Sequence, residues 1–392
     1  MKLIEREMKS ALLEYAKSFS VVTILGPRQS GKTTLAKATF PSYGYVNLED
    51  PEVFDFAMSD INGFFDTFKA PLIIDEIQRV PRIVNKIQTI VDNANENGMF
   101  ILTGSFQQAL KSTISQSLAG RTAILNLLPL SISELMDAGI RKERDDFIFE
   151  GFMPRHYSQH QDATMLYSAY FQTYIEKDVQ TILNVKSKWV FENFIRLLAG
   201  RIGQVVNFES LANDVGVSAS TISAWISVLE SSYVIFKVEP YFENFTKRLV
   251  KSPKIYFMDT GLACYLLGIR NVEQVSRDPL IGNLFENMVM LEILKAHYNK
   301  GKEKNLFYFR DSKGFEIDAI VSTSQGGFIP MEFKSAKTFS NGFAVNLRKM
   351  CSISNKANNP TVVYAGELEG VANSVNYINF KNMKSFINLK EE

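Results

Sequence analysis

The sequence predicts an α/β protein of several domains, and three observations support this. Short apolar runs typical of strands alternate with amphipathic helical segments through the first third of the chain, a pattern that favours a parallel sheet with helices on both faces. The chain has 392 residues, more than one hydrophobic core usually serves. Hydrophobic residues make up 46% and charged residues 22%, so an ordinary globular composition excludes disorder as the main state.

The elements of the first region follow in order. An amphipathic helix is expected over residues 3–17, because its apolar residues recur at helical spacing. Strands are expected after it, at residues 20–25, 45–50, 71–76, 99–105 and 122–130. Helical stretches separate these runs, among them the one that starts at Ile83 and whose end is marked by Gly98.

Two further regions follow. The pattern turns mainly helical after residue 135, and residues 207–240 read as two short helices around Gly216 followed by a β-rich run, which predicts a helical connector with a winged-helix-like domain. From Lys254 onward, helices and five strand-like runs alternate again and predict a separate α/β domain. The expected domains are therefore 1–135, 136–253 and 254–392.

The strongest motif is GPRQSGKT, Gly26 to Thr33, which fits G-x-x-x-x-G-K-[ST] and lies between a predicted strand and a predicted helix. Such a P-loop uses its backbone N–H groups to hold phosphates, its lysine to reach the β and γ phosphates and its threonine hydroxyl to bind Mg²⁺. The sequence therefore predicts a P-loop NTPase sheet that binds ATP and Mg²⁺. The expected nucleotide-binding residues of the loop are Gly26, Pro27, Arg28, Gln29, Ser30, Gly31, Lys32, Thr33 and Thr34.

Carboxylates follow a later strand, in LIIDE. Asp75 is expected to hold Mg²⁺, and Glu76 to orient and polarise the attacking water. Thr103, at the end of the next strand, is expected to sense the γ-phosphate, with simple turn chemistry as the alternative. Arg121 is a candidate to stabilise charge on the transferred phosphate, within the chain or across subunits of a homo-oligomer, and a solvent-exposed arginine is the alternative.

Together with these motifs, several others occur in a fixed order. They are GPRQSGKTTL, IIDEIQRVP, LTGS, LAGR, LLPLSISEL, YIEKDVQ, KRLVKSPKIYFMDTGLACYLLG, LFENMV, FYFRDSKGFEIDAIV and EFKSAKT. In this the chain resembles prokaryotic AAA-type P-loop ATPases that carry a C-terminal domain of unknown function with a restriction-endonuclease-like core. The resemblance implies ATP binding and hydrolysis. It leaves the role of the connector at GFMPRH open, because that stretch departs from the family's pattern.

The C-terminal region carries a second candidate site. Strand alternation places Glu332 and Lys334 on one side of a strand, and Asp318 lies on the strand before it. This looks like the PD-(D/E)xK nuclease arrangement, in which Asp318 and Glu332 share Mg²⁺, Lys334 activates water, and Glu286 adds a ligand. The alternatives are a nuclease fold without cleavage and a structural ion pair.

Nucleic-acid contacts would have to be local, because the net charge is only +1. The second helix of the helix-turn-helix region has no arginine or lysine, so packing or partner binding is an equal alternative to DNA reading there. The better candidate for contact with a DNA or RNA backbone is the group Lys247, Arg248, Lys251 and Lys254, with a solvated face as its alternative.

The two cysteines have no neighbour at metal-ligand spacing, and no stretch approaches the ~20 apolar residues of a spanning helix. A cytoplasmic protein without a membrane segment is expected. The sequence thus predicts a Mg²⁺-dependent ATPase coupled to nucleic-acid binding or cleavage. The alternative is an ATP-dependent switch or scaffold with an inactive nuclease fold.

Overall fold

The structure is a computed structural model that describes residues 3–105, 117–179, 187–241, 252–324 and 326–390. Its elements fall into an N-terminal parallel sheet, a set of helices in the middle of the chain and a C-terminal mixed sheet.

The N-terminal sheet has five strands in the order β2-β3-β4-β1-β5, all parallel. The strands are β1 (Val21–Leu25), β2 (Gly44–Asn47), β3 (Leu72–Asp75), β4 (Phe100–Gly104) and β5 (Thr122–Asn126). Strands β1, β3 and β4 are buried throughout, as continuous apolar runs in a parallel sheet should be. The predicted parallel sheet is therefore confirmed, and the carboxyl ends of all five strands meet at one edge.

Helices pack beside this sheet. They are α1 (Lys9–Ser18), α2 (Lys32–Thr39), α3 (Pro51–Ser59), α4 (Ile61–Thr67) and α5 (Ile83–Ala94). Two separate apolar clusters involve this sheet: Val21 and Leu25 belong to one, while Val22 and Ile24 belong to the other together with Leu35 of α2. Alternate residues of β1 thus face opposite sides, as expected for a strand covered on both faces.

The middle of the chain is helical. Its helices are α6 (Ile132–Asp137), α7 (Arg144–Glu150), α8 (Pro154–Gln159), α9 (Ala163–Tyr170), a π-helical segment (Phe171–Val179), α10 (Lys188–Ala199), α11 (Phe208–Val215) and α12 (Ala219–Ser231). Helices α11 and α12 are joined through Gly216, whose φ of +80° is left-handed, and Ile222 and Ile226 are buried. Two short helices around Gly216, as the sequence predicts, are therefore present.

The C-terminal sheet has eight strands in the order β12-β13-β11-β10-β9-β8-β6-β7. The strands are β6 (Ile235–Pro240), β7 (Lys254–Phe257), β8 (Leu306–Arg310), β9 (Glu316–Ser322), β10 (Phe328–Lys334), β11 (Thr361–Tyr364), β12 (Gly370–Ala372) and β13 (Val375–Asn379). The helices are α13 (Thr260–Leu267), α14 (Val272–Val275), α15 (Ile281–Tyr298), α16 (Val345–Ile353) and α17 (Met383–Lys390).

The run expected to form a wing pairs with strands of this sheet. Strand β6 pairs with β8 in parallel and with β7 in antiparallel orientation, and the Tyr241 N–H donates to the Tyr308 carbonyl at 2.7 Å. These main-chain hydrogen bonds join β6 to the C-terminal sheet, across the expected boundary between residues 253 and 254. The reason is that β6 is mostly buried and therefore needs partner strands on its polar edges.

A buried ion pair fixes the N-terminal segment to the residues after β5. The Arg6 guanidinium lies 3.0 Å from Glu134 and donates to the Ser30 carbonyl in the P-loop and to the Leu128 carbonyl, both at 2.6 Å. Arg6 is 8% exposed and Glu134 is 1% exposed. Glu134 also caps α6 by accepting from the Ser131 N–H at 2.8 Å. Arg6 thereby links the P-loop to the start of α6.

Helix α15 also binds the residues after β5. The Ile132 N–H donates to Glu292 at 2.9 Å, and the Lys295 ammonium donates to the Leu130 carbonyl at 2.7 Å. Lys295 and Glu292 also pair with each other at 2.7 Å. Residues 128–134 are therefore bound from the ATP-binding side by Arg6 and from the C-terminal region by α15. We call them the junction segment.

Across the described ranges, every helix is too short or too polar to cross a membrane.

Candidate nucleotide-binding site

The P-loop connects the carboxyl end of β1 to α2, and its first glycine is required by geometry. Gly26 has φ of +154°, and a Cβ there would lie 2.1 Å from the Leu127 carbonyl oxygen. Gly31 precedes α2 with φ of +93°, and Gln29, which is not a glycine, has φ of +64°. A non-glycine residue in this conformation is held there at an energetic cost. The loop is thus shaped for a tight backbone curve around a ligand.

Lys32 is folded back onto the loop. Its ammonium donates to the Gly26 carbonyl at 3.1 Å and to the Pro27 carbonyl at 2.8 Å. Burial lowers the pKa of Lys32 to about 8, although Glu76 and Asp75 act in the opposite direction. Among the described residues, the buried Ser30 hydroxyl has no hydrogen-bond partner. The Lys32 ammonium is thus hydrogen-bonded to neutral carbonyls, and the Ser30 hydroxyl of the same loop is unpaired. Both groups can bind an anionic ligand.

Asp75 ends β3 and accepts hydrogen bonds from three hydroxyl groups. Thr33 donates to Oδ2 at 2.7 Å, Tyr45 donates to the same oxygen at 3.0 Å, and Thr103 donates to Oδ1. The structure brings Thr33, Asp75 and Thr103 together at one edge of the sheet, where the sequence expects them. Tyr45 was missed by the sequence analysis, although it lies on the neighbouring strand β2.

Glu76 follows Asp75 and has the left-handed φ of +56°. The Ser105 hydroxyl donates to its Oε1 at 2.9 Å, and the Gln78 amide donates to its Oε2. Both carboxylate oxygens therefore have partners. Within the described chain, the amide oxygen of Gln78 is buried without a hydrogen-bond partner.

A cavity of about 510 Å³ opens over the P-loop. Its walls include Arg28, Gln29, Lys32, Thr33 and Thr34 together with Glu76 and Ser105. Its far side is formed by Pro154, Arg155, Ser158 and Gln159 of α8 and by Tyr174, over whose ring the Arg28 guanidinium lies at 5.3 Å. The GFMPRH stretch, whose role the sequence left open, is thus a wall of the candidate site.

Arg155 is a cationic residue of this wall that the sequence analysis missed. Its Nε donates to Gln159 at 3.0 Å. The helix that carries it starts just after Phe152, whose N–H donates to the buried Asp259 and whose carbonyl accepts from the Leu130 N–H, both at 2.9 Å. Helix α8 is therefore anchored to both halves of the molecule, and Arg155 lines the P-loop cavity.

Arg121 lies away from the candidate site. It precedes β5, and its carbonyl accepts from the N–H of Val21 at the start of β1. Since the P-loop follows the other end of this five-residue strand, the two are about 15 Å apart along the sheet. Arg121 forms a two-point ion pair with Asp92. A role for Arg121 within its own chain is thus corrected by its position, and a role across subunits stays a prediction.

A second cavity of about 440 Å³ adjoins the first and is mainly apolar. Gly31, Thr34, Pro154 and Ser158 line both cavities. The remaining walls come from the N-terminal segment around Ile4 and from α2.

The C-terminal candidate residues also lie near one another. Lys334 is 2.6 Å from Glu332 and 3.7 Å from Asp318, whose Oδ2 accepts from the Phe333 N–H at 2.8 Å. Glu286 accepts from Lys254 at 2.9 Å and from Tyr256 at 2.5 Å. Burial, reinforced by Asp318, raises the pKa of Glu332 to about 8.

The expected sharing of one cation by Glu286, Asp318 and Glu332 stays a prediction, and two of these carboxylates are engaged in ion pairs with lysines. In the part of the chain that the structure describes, no three Asp, Glu, His or Cys side chains form a group that could hold a metal ion. The ammonium groups of Lys254 and Lys334 instead neutralise Glu286 and Glu332.

Lys254 is not part of an exposed basic surface, although the sequence predicts it to be. It is 2% exposed and pairs with Glu286 and Glu316, so it is not available to a nucleic-acid backbone. The other members of that group, Lys247, Arg248 and Lys251, lie outside the described residues.

Comparison with known families divides the chain into three parts. Residues 18–136 match the AAA domain family, residues 141–273 match a domain of unknown function (DUF8612), and residues 281–383 match another domain of unknown function (DUF4143).

Two relatives that match over most of the chain are described as uncharacterized proteins. A protein of Mycobacterium tuberculosis is 29% identical over 342 residues, which cover 82% of this chain and 72% of that protein. A protein of Methanocaldococcus jannaschii is 25% identical over 384 residues, which cover 84% of this chain and 74% of that protein.

Among solved structures, the Walker-type ATPase of Pyrococcus abyssi aligns with a TM-score of 0.47 at 13% identity, over 67% of this chain and 96% of that chain. DnaA of Aquifex aeolicus, bound to AMPPCP, aligns with a TM-score of 0.27 at 16% identity, over 57% and 85% of the two chains. Residues 18–136 are therefore similar to AAA domains, and the geometry of the P-loop agrees with that similarity.

Proposed function

We propose that the chain binds ATP with Mg²⁺ at the P-loop and hydrolyses it. The observation that carries this proposal is the meeting of Lys32, Thr33, Asp75 and Glu76 at one edge of the sheet, beside a cavity of about 510 Å³. Hydroxyl and carboxylate oxygens are the hard ligands that Mg²⁺ prefers, so Thr33 and Asp75 fit this ion. Bound there, Mg²⁺ would neutralise charge on the β and γ phosphates.

The residues of the chain have separable tasks. Lys32 turns from the carbonyls of Gly26 and Pro27 to the phosphates, and the loop N–H groups surround them. Glu76 accepts a proton from the attacking water once its carboxylate is released by Gln78 and Ser105. Arg155 approaches from α8 and stabilises negative charge on the terminal phosphate.

The base is assigned to the apolar cavity of about 440 Å³ that adjoins the P-loop cavity. It is lined by Ile4, Leu35 and Ala38, and a purine ring suits such an apolar wall because it is flat and buries mostly carbon surface.

Calorimetric titration tests the proposal. Lys32→Ala should lose ATP binding, because the lysine of the loop is the group that reaches the β and γ phosphates. Glu76→Gln should bind ATP like the wild type and hydrolyse it far more slowly, because it loses the carboxylate that accepts the proton. Unchanged ATP affinity in Lys32→Ala would overturn the assignment.

A second candidate function is phosphodiester cleavage in the C-terminal region, with DNA or RNA as the partner. It is favoured by the convergence of Asp318, Glu332 and Lys334 and by the raised pKa of Glu332, since shifted pKa values cluster at functional sites. We rank it second because the ion pairs of Lys254 and Lys334 would have to open before a metal ion could bind.

Incubation of plasmid DNA and of RNA with Mg²⁺ or Mn²⁺, with and without ATP, tests this second function. Asp318→Asn should abolish cleavage and retain ATP hydrolysis, which reports on correct folding. If the wild type cuts neither substrate, the ATP-dependent switch or scaffold with an inactive nuclease fold replaces it.

Assembly is the remaining part of the proposal. If Arg121 acts across subunits, ATP should promote a homo-oligomer, and Arg121→Ala should lower the ATPase rate only under conditions in which the oligomer forms. Light scattering in the presence of ATP measures both size and its dependence on nucleotide. Full ATPase activity of a monomer would exclude this role.

A further inference from the structure

Tyr45 is the unexpected member of the group of hydroxyls around Asp75. It lies on β2, where Asn47 is paired with Asp75 of β3. Residues two apart on a strand share a face, so Tyr45 lies on the side of the sheet toward which Asp75 points. Its phenol donates to Asp75 Oδ2 at 3.0 Å. The contact comes from outside the P-loop cavity, because Tyr45 is not one of that cavity's walls.

The ring of Tyr45 is itself held in place. The Lys37 ammonium of α2 lies 3.2 Å from the centre of the ring, a cation–π contact that fixes the side chain between α2 and β2. The ring thus contacts Lys37 while its hydroxyl donates to Asp75.

The three hydroxyls are not equivalent. In the proposed function, the Thr33 hydroxyl would bind Mg²⁺, and its hydrogen bond to Asp75 would then be given up. Thr103 occupies the other carboxylate oxygen, Oδ1. Tyr45 is then the remaining described donor to Oδ2, the oxygen that Thr33 leaves.

From this arrangement we propose that Tyr45 is a positioning residue for Mg²⁺: its phenol holds the Asp75 carboxylate in the orientation that binds the ion. The inference rests on the proposed ATPase function.

The test compares Tyr45→Phe with the wild type. This change removes the hydroxyl and keeps the ring that Lys37 contacts. ADP affinity is measured by calorimetry with Mg²⁺ and again with EDTA. We expect about a tenfold loss of affinity with Mg²⁺, equal to ~1.4 kcal/mol, and unchanged affinity in EDTA. The Mg²⁺ concentration for half-maximal ATPase activity should rise by about the same factor.

Tyr43→Phe is the matched control, because it makes the same chemical change two residues earlier, where the ring packs on Phe40 at 4.7 Å. It should behave like the wild type. If Tyr45→Phe does not fold, as judged by thermal unfolding, Lys37→Met provides the second variant. It frees the Tyr45 ring and should weaken Mg²⁺-dependent binding in the same direction but less.

The possible outcomes distinguish a failure of the proposed ATPase function from a failure of the role of Tyr45. A wild type whose ADP affinity does not depend on Mg²⁺ overturns the proposed metal-dependent function. A wild type that depends on Mg²⁺, with Tyr45→Phe identical to it, overturns only the role of Tyr45. Equal losses with Mg²⁺ and with EDTA would mean that Tyr45 acts on the nucleotide pocket rather than on the ion.

Discussion

Replacing Lys32 with methionine should stabilise the nucleotide-free protein while it abolishes nucleotide binding. Lys32 is 5% exposed, and its ammonium is satisfied only by the carbonyls of Gly26 and Pro27. Burial lowers its pKa from the ordinary 10.5 to about 8. This difference of about 2.5 in pKa corresponds to roughly 3 kcal/mol. The free energy of unfolding is lower by this amount at a pH where Lys32 is charged in both the folded and the unfolded state.

The sign of the pH dependence follows from this shift. The folded-state pKa of Lys32 is about 8 and lies below the ordinary value of 10.5, so the unfolded chain binds more protons between these two pH values. Stability contributed by this group therefore rises with pH across that window. The loss of stability caused by the buried charge of Lys32 is fully present below pH 8. By pH 9.5 this loss has fallen by about 2 kcal/mol.

The assay is chemical unfolding of wild type and Lys32→Met without nucleotide, at pH 7 and at pH 9.5. The variant should be more stable at pH 7, and its advantage should shrink by about 2 kcal/mol at pH 9.5. Lys17→Met, which removes an exposed ammonium from α1, is the control and should show no such trend. An advantage of Lys32→Met that is the same at both pH values would refute the argument from burial.

Three further predictions concern other residues of the structure. Arg155→Ala should weaken ATP binding about tenfold and ADP binding much less, because the lost charge faces the terminal phosphate; calorimetry with both nucleotides would contradict this if the two losses were equal. Gln78→Ala should raise the basal ATPase rate, since it frees one oxygen of the Glu76 carboxylate; an unchanged or lower rate would mean that Gln78 helps to position Glu76. Glu134→Gln should destabilise the fold by about 3–5 kcal/mol, because it leaves the Arg6 charge buried and unpaired, and a loss below ~1 kcal/mol in chemical unfolding would speak against it.

Local patterns in the sequence were sufficient for the first region. The apolar runs that form β1, β3 and β4 are continuous because both faces of a parallel sheet are covered. The order strand, P-loop, helix then fixes where Lys32 and Thr33 lie. For the same reason, Asp75 and Thr103 could be expected at the same edge, since parallel strands share their carboxyl ends.

Partners distant in sequence could not be predicted in this way. The local pattern predicts β6 as a wing after a helix-turn-helix, but it does not reveal the pairing of β6 with β8 almost 70 residues later. The sequence places Lys254 among basic neighbours, but its side chain is buried against Glu286 and Glu316. Hydrogen bonds and ion pairs of this kind depend on tertiary contacts, which local composition does not encode.

Arg155 and Tyr45 show the same limit within the candidate site. Arg155 faces the P-loop because α8 is anchored through Phe152 to Asp259, more than 100 residues along the chain. Tyr45 could have been suspected from strand alternation, because it lies two residues before the partner of Asp75. The register of β2 against β3 would have been needed to reach that conclusion.

The junction segment limits how this protein can be divided or recombined in evolution. Residues 128–134 belong to the ATPase region by sequence order, but their backbone groups are satisfied by Glu292 and Lys295 of α15. An ATPase region transferred to another protein without α15 would leave the Ile132 N–H and the Leu130 carbonyl unpaired, at about 1–3 kcal/mol for each group that remains buried. The ATPase region and the C-terminal sheet are therefore expected to be inherited together, as one unit rather than as exchangeable parts.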